Sequence, residues 1–102
     1  MAETDHDILA KPRAKLDELD DSILALLSAR LRVCLEIADL KSQAAIAMMQ
    51  PHRVDMVLGR ARTAAEEYDV DAEFLVGVYE RIIEATCRAE EHRMAQSTED
   101  AE

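Results

Sequence analysis

The sequence predicts an all-α chain, and three observations carry that prediction. Only two Gly and two Pro occur in 102 residues, so there is little material for turns, and Ala, Leu, Glu and Arg dominate. Strand-type alternation of apolar and polar residues is absent. An apolar seam formed by Leu16, Leu19, Ile23, Leu26, Val33, Ile37 and Leu40 follows the three-and-four spacing of a helix. One cation, Arg30, stands in that seam where an apolar residue is due.

The seam lies in a helix predicted over 10–44, because no Gly or Pro falls between Arg13 and Gln50 and Ala25, Leu27, Ala29, Leu31 and Ala38 all favour helix. At 1.5 Å per residue this helix is roughly 50 Å long. A compact chain of this size is only about 25–30 Å across. The middle and far end of the helix therefore need cover from elsewhere, and an obligate dimer of long helices is expected. Residues 1–7 form a polar leader, with Asp5 or Asp7 as a cap, and residues 42–50 lose the seam and connect to the next helix.

Pro51 suits the first turn of a second helix that starts after Gln50. Val54, Val57, Leu58, Ala61, Ala65 and Tyr68 recur at helical spacing, and the helix is predicted to end near residue 67. Gly59 is expected to allow a close helix approach. Residues 69–71 are a short break with Asp71 as the next N-cap and Glu73 in the first turn. The third helix is predicted from Ala72 to about Met94, its inner face being Leu75, Val78, Tyr79, Ile82, Ile83, Thr86 and Glu90. The whole of 1–102 reads as one domain, with about 1–8 and 95–102 as disordered polar ends.

The formal net charge of −10 disfavours nucleic acid and anionic membrane as partners. With no secretory signal and no apolar run of the ~20 residues a membrane span needs, the expected location is cytoplasmic. Cys34 and Cys87 lack metal-type spacing and read as buried free thiols. His6, His52 and His92 have no partner at metal-ligand spacing and read as surface residues.

Several polar groups do not fit a plain bundle. Arg30 and Lys41 are three helical turns apart, within about 20° of each other and roughly 16 Å along one face. Cys34, Ile37 and Ala38 lie between them, so two cations bracket a mostly apolar floor. Thr86 and Glu90 would face that floor from the third helix, and Arg53 is the next cation in order. Two readings stay open on spacing alone. Arg30 could pair structurally with Glu90 while Lys41 and Arg53 are solvated, or the group could form a site, because a bundle needing only stability does better with Leu than with a buried ion pair. Arg13 lies about 25 Å and 100° from Arg30, so it can serve such a pocket only in a partner subunit. Met48 and Met49 suit either the mouth of a pocket or flexible packing. Asp39, Arg60, Arg62, Arg81, Arg88 and Arg93 read as solvated or as inter-helix pairing groups.

These residues resemble the all-helical chorismate mutase family. The resemblance rests on LDELDDSILALLSARLRVCLEIADLK (16–41) with Arg13 upstream, QPHR (50–53) downstream and RIIEATCRAEE (81–91). It implies an intertwined homodimer of three-helix protomers with two sites. Each site takes Arg30, Lys41, Arg53, Thr86 and Glu90 from one chain and Arg13 from its partner. The implied reaction is a Claisen rearrangement of an enolpyruvyl ether, an isomerisation that needs neither metal nor cofactor. In it Arg13 and Arg30 hold two substrate carboxylates, Arg53 adds positive field, and Lys41 and Glu90 approach the ether oxygen. Glu90 can donate there only when protonated, so activity is expected to fall as pH rises.

Two positions depart from the usual family pattern. Val54 replaces an acidic residue that binds the substrate's ring hydroxyl, and Gln50 replaces an Asp at the helix start. Together with MMQPHRV (48–54) and DAEFLVGVYERII (71–83), they resemble the branch acting on 4-amino-4-deoxychorismate, en route to p-aminophenylalanine in antibiotic biosynthesis. Alternatives are an ordinary chorismate mutase, an isochorismate pyruvate lyase, and a non-catalytic helical dimer.

Overall fold

The computed structural model describes residues 2–47 and 50–101, with side chains over 8–47 and 50–96. Met48 and Met49, expected near a pocket mouth, lie outside the described residues. Three helices follow one another, α1 (Ala2–Ala44), α2 (Pro51–Glu67) and α3 (Ala72–Ala101), and the described residues contain no strand. The all-α prediction holds. No helix among the described residues is long and apolar enough to cross a membrane. The chain divides into two compact units, Met1–Val33 and Cys34–Glu102.

The first unit is the N-terminal part of α1. The helix starts at Ala2 rather than near residue 10 and carries Pro12 inside it. Proline brings no N–H, so the backbone carbonyl four residues earlier loses its usual donor there. The apolar seam expected to be covered is instead open in the single chain. Leu16, Leu19, Ile23 and Leu26 are all more than half exposed, Leu26 at 69%. Such a stripe is the kind of surface that marks an interaction face.

The second unit holds the end of α1 together with α2 and α3. Ala45, just past α1, has φ 56°, and the Ile46 N–H donates to the Lys41 carbonyl at 2.9 Å. A left-handed residue followed by this backward bond is a Schellman-type helix end, built on alanine rather than glycine. Gln50 precedes α2 without a side-chain cap, and its carbonyl accepts from the Arg53 N–H at 2.9 Å and the Val54 N–H at 3.2 Å. Pro51 fills the first helical position, where a missing N–H does no harm.

The buried face of α2 is Val57, Ala61 and Ala65, one turn apart, against α3. These small side chains account for the packing. Gly59 does not, because a Cβ added there meets nothing within 4 Å. The expected close approach at Gly59 is thus corrected to the two alanines. Tyr68, expected on the inner stripe, sits just past the helix end and is 74% exposed. α2 ends in the same way as α1, with Asp69 at φ 53° and the Val70 N–H on the Ala65 carbonyl at 2.9 Å. Aspartate tolerates this conformation better than most residues.

α3 opens where predicted, with Asp71 Oδ2 accepting the Phe74 N–H at 2.8 Å. Its stripe of Leu75, Val78, Tyr79, Ile82, Ile83 and Thr86 is half-buried and ends on buried Glu90, as the spacing requires. The helix then continues to Ala101, past the stripe that sets the predicted end.

Two outcomes follow from these helix ends and interiors. Asp71→Ala removes a satisfied N-cap and lowers stability by about 1 kcal/mol, read from urea unfolding at unchanged slope. Gly59→Ala adds a Cβ in open space within a helix and raises stability by roughly 0.5–1 kcal/mol in the same titration.

Candidate active site

Residue periodicity places the site on the last turns of α1 and the second half of α3. Ala38 is fully buried at 0% exposure and marks the inward direction of α1. Lys41 lies about 60° to one side of it and Asp39 about 100° to the other. On α3, Glu90 closes the inner stripe and is only 8% exposed.

Lys41 Nζ stands 3.6 Å from Glu90 Oε2, with the two side chains 15% and 10% exposed. This distance exceeds the 2.7–2.9 Å or so of a tight charge-assisted hydrogen bond. The contact is an ion pair between two mostly buried heads. Of the two readings left open by spacing, the structure therefore gives Glu90 to Lys41, and Lys41 is not a solvated side chain. Spacing could not choose, because Arg30 and Lys41 share nearly the same angular position on the helix.

Thr86, one turn before Glu90, is half-buried. Cys87, on the same stretch, and Cys34 form no disulfide among the described residues, and both are half-buried rather than fully buried. Burial holds the Cys87 thiol above its ordinary pKa, the carboxylates of Glu90 and Glu91 add to this, and the Lys41 ammonium opposes it. A thiol held neutral is a poor nucleophile, which suits packing.

Asp39 and Arg93, read from the sequence as solvated or inter-helix pairing groups without a stated partner, form a second inter-helix pair. Arg93 reaches Asp39 with two parallel bonds, Nε to Oδ1 at 3.1 Å and a terminal guanidinium nitrogen to Oδ2 at 3.2 Å. The signal was present as opposite signs on each helix, Asp39 and Lys41 on α1 against Glu90 and Arg93 on α3.

Gln50, Arg53 and Val54 sit at the α2 start. Gln50 donates its amide N–H to the Ala47 carbonyl at 3.0 Å, Arg53 is exposed and Val54 is half-buried. Arg13 and Arg30 belong to the N-terminal unit, where Arg13 is exposed and Arg30 half-buried. A shallow groove at the start of α3 is lined by Asp71, Glu73, Phe74, Gly77, Val78 and Arg81. It lies about 20 Å along α3 from Glu90 and carries two carboxylates, which suits a dianion poorly. The chemistry on offer at the α1–α3 pair is an ammonium donor beside a carboxyl group, and the ammonium is able to stabilise negative charge growing on an oxygen.

A family model described as chorismate mutase type II matches residues 12–91. A protein of Streptomyces venezuelae named 4-amino-4-deoxychorismate mutase is 37% identical over 99 residues, covering 97% of this chain and 96% of that protein. One of Streptomyces pristinaespiralis with the same name is 39% identical over 83 residues, 81% of this chain and 64% of its own length. A chorismate mutase of Methanocaldococcus jannaschii is 32% identical over 76 residues, 74% and 77% of the two chains. With the matched span taking in the end of α1, all of α2 and the Lys41–Glu90 pair, the chain belongs to the chorismate mutase type II family.

Proposed function

We propose that the chain is a mutase converting 4-amino-4-deoxychorismate to 4-amino-4-deoxyprephenate, acting as an intertwined homodimer. The carrying observation is the shared name of two Streptomyces relatives at 37% and 39% identity. Val54 supports it, since an apolar side chain cannot accept from a ring hydroxyl. Gln50 fits as well, because its amide N–H is engaged with Ala47 and the amide oxygen is the acceptor it offers an amine.

In the rearrangement the ether C–O bond breaks as a C–C bond forms between the enolpyruvyl carbon and the ring. No group leaves the molecule, so the protein's task is conformational and electrostatic. It holds the ether folded in its near-attack form and stabilises charge on the oxygen. Arg30 and the partner's arginine at the position of Arg13 pair with the two carboxylates, Arg53 strengthens the positive field, and Thr86 lines the site. Lys41 donates to the ether oxygen, and Glu90, paired with Lys41, approaches the same oxygen. The half-exposed seam of Leu16, Leu19, Ile23 and Leu26 supports the dimer, because a second long helix gives it cover.

The test is a parallel assay of chorismate, isochorismate and 4-amino-4-deoxychorismate. The amino compound is expected to show the highest kcat/KM; a preference for chorismate moves the chain to the ordinary mutase activity, and turnover of none removes the enzymatic reading. Arg30→Ala and Lys41→Ala are each expected to lower kcat by about 10²–10³ while the dimer persists in sedimentation.

A further inference from the structure

We infer that Asp39 and Arg93 are positioning residues for the reacting pair, fixing the roll of α1 against α3 and keeping Arg93 away from Glu90. The inference rests on the proposed mutase reading and adds two residues to it. Four charged side chains meet in crossed order, with α1 bringing Asp39 and Lys41 and α3 bringing Arg93 and Glu90. Asp39 and Lys41 lie on opposite sides of fully buried Ala38. A rotation of α1 that carries Lys41 away from Glu90 therefore also shifts Asp39 against Arg93.

The two contacts differ in kind. Lys41 is a single point charge at 3.6 Å from its partner, which a flexible stem can easily misplace. The Arg93–Asp39 contact is a planar fork with two bonds, and that geometry has a defined orientation. The side chains of the fork are 48% and 39% exposed, so the pair contributes little to stability. Orientation is what such a pair supplies at this place.

Occupation of Arg93 matters as much as its grip. Glu90 and Arg93 are three residues apart on α3, within reach of each other on one helix surface. An Arg93 released from Asp39 becomes a rival to Lys41 for the Glu90 carboxylate. The two ends of the fork are thus not equivalent. Loss of Arg93 loosens α1, whereas loss of Asp39 loosens α1 and also redirects Arg93 onto a catalytic group. A purely structural ion pair has no such asymmetry.

The experiment compares the full-length wild-type protein, Asp39→Asn, Arg93→Met and the double variant, using kcat, KM and urea midpoints together with the NMR signal of the Lys41 ε-carbon. Asp39→Asn is expected to lower kcat about tenfold with KM within about twofold of wild type. Arg93→Met is expected to lose about threefold, and the double variant to match Arg93→Met, recovering activity relative to Asp39→Asn alone. Urea midpoints change little, and the Lys41 signal moves in Asp39→Asn and returns in the double variant. Unchanged kcat in all three variants, or equal and additive losses that follow the urea midpoints, overturns the positioning role while leaving the mutase reading standing. If the wild-type protein turns over none of the three substrates, the mutase reading fails, and the Lys41 signal alone then decides whether Asp39 orients Lys41.

Discussion

The ion pair between Lys41 and Glu90 is the contact on which the arrangement of this chain turns. Two opposite charges held mostly out of water are expensive to keep unless each satisfies the other. Their pairing ties the end of α1 to α3, one turn from fully buried Ala38. The buried apolar residues among those described are small: Ala38, Ala61, Ala65 and Val57. A core of alanines supplies little hydrophobic free energy and much closeness, which suits a protein whose larger apolar side chains are turned outward along α1.

Charge adds a second constraint. The formal charge of −10 repels an anionic ligand at long range, so any capture of a dicarboxylate must come from local cations acting inside the Debye length of about 8–10 Å. Guanidinium groups meet that need because they pair with carboxylates in two-pronged fashion and remain charged at every working pH. At the end of α1 Asp39 pairs with Arg93 and Glu90 with Lys41, so each cation there is balanced by a carboxylate.

Much of this was legible in the sequence. The three helices, the Pro51 start of α2, the Asp71 cap and the α3 stripe ending in Glu90 follow from period and end chemistry, both of which are local properties of the chain. What escaped was of another kind. Both connecting helix ends use a left-handed residue that is not glycine, Ala45 and Asp69, so the usual marker was missing. Gly59 looked like a contact point and is not one, because small residues permit approach without requiring it. The partner of Glu90 could not be chosen on period alone, since Arg30 and Lys41 fall on almost the same line of one helix. The Asp39–Arg93 fork depends on two helices meeting at one rotation, which only the fold defines.

Position 54 shows how such a scaffold can change substrate without changing its chemistry. The ether oxygen and the carboxylates are common to a hydroxyl-bearing and an amino-bearing ligand, and the groups proposed to serve them need not differ. Discrimination must then come from the side chains facing the one substituent that differs. An acceptor built for a hydroxyl can be worth orders of magnitude when its partner is present, and leaves a buried polar group unmet when it is not. In the proposed site Val54, half-buried at the start of α2, offers no such acceptor and sets no carboxylate beside Arg53. Under the proposed function an apolar residue there makes the local field more positive than an acid would, and the choice of 4-substituent falls to the turn before α2, where Gln50 is anchored to Ala47.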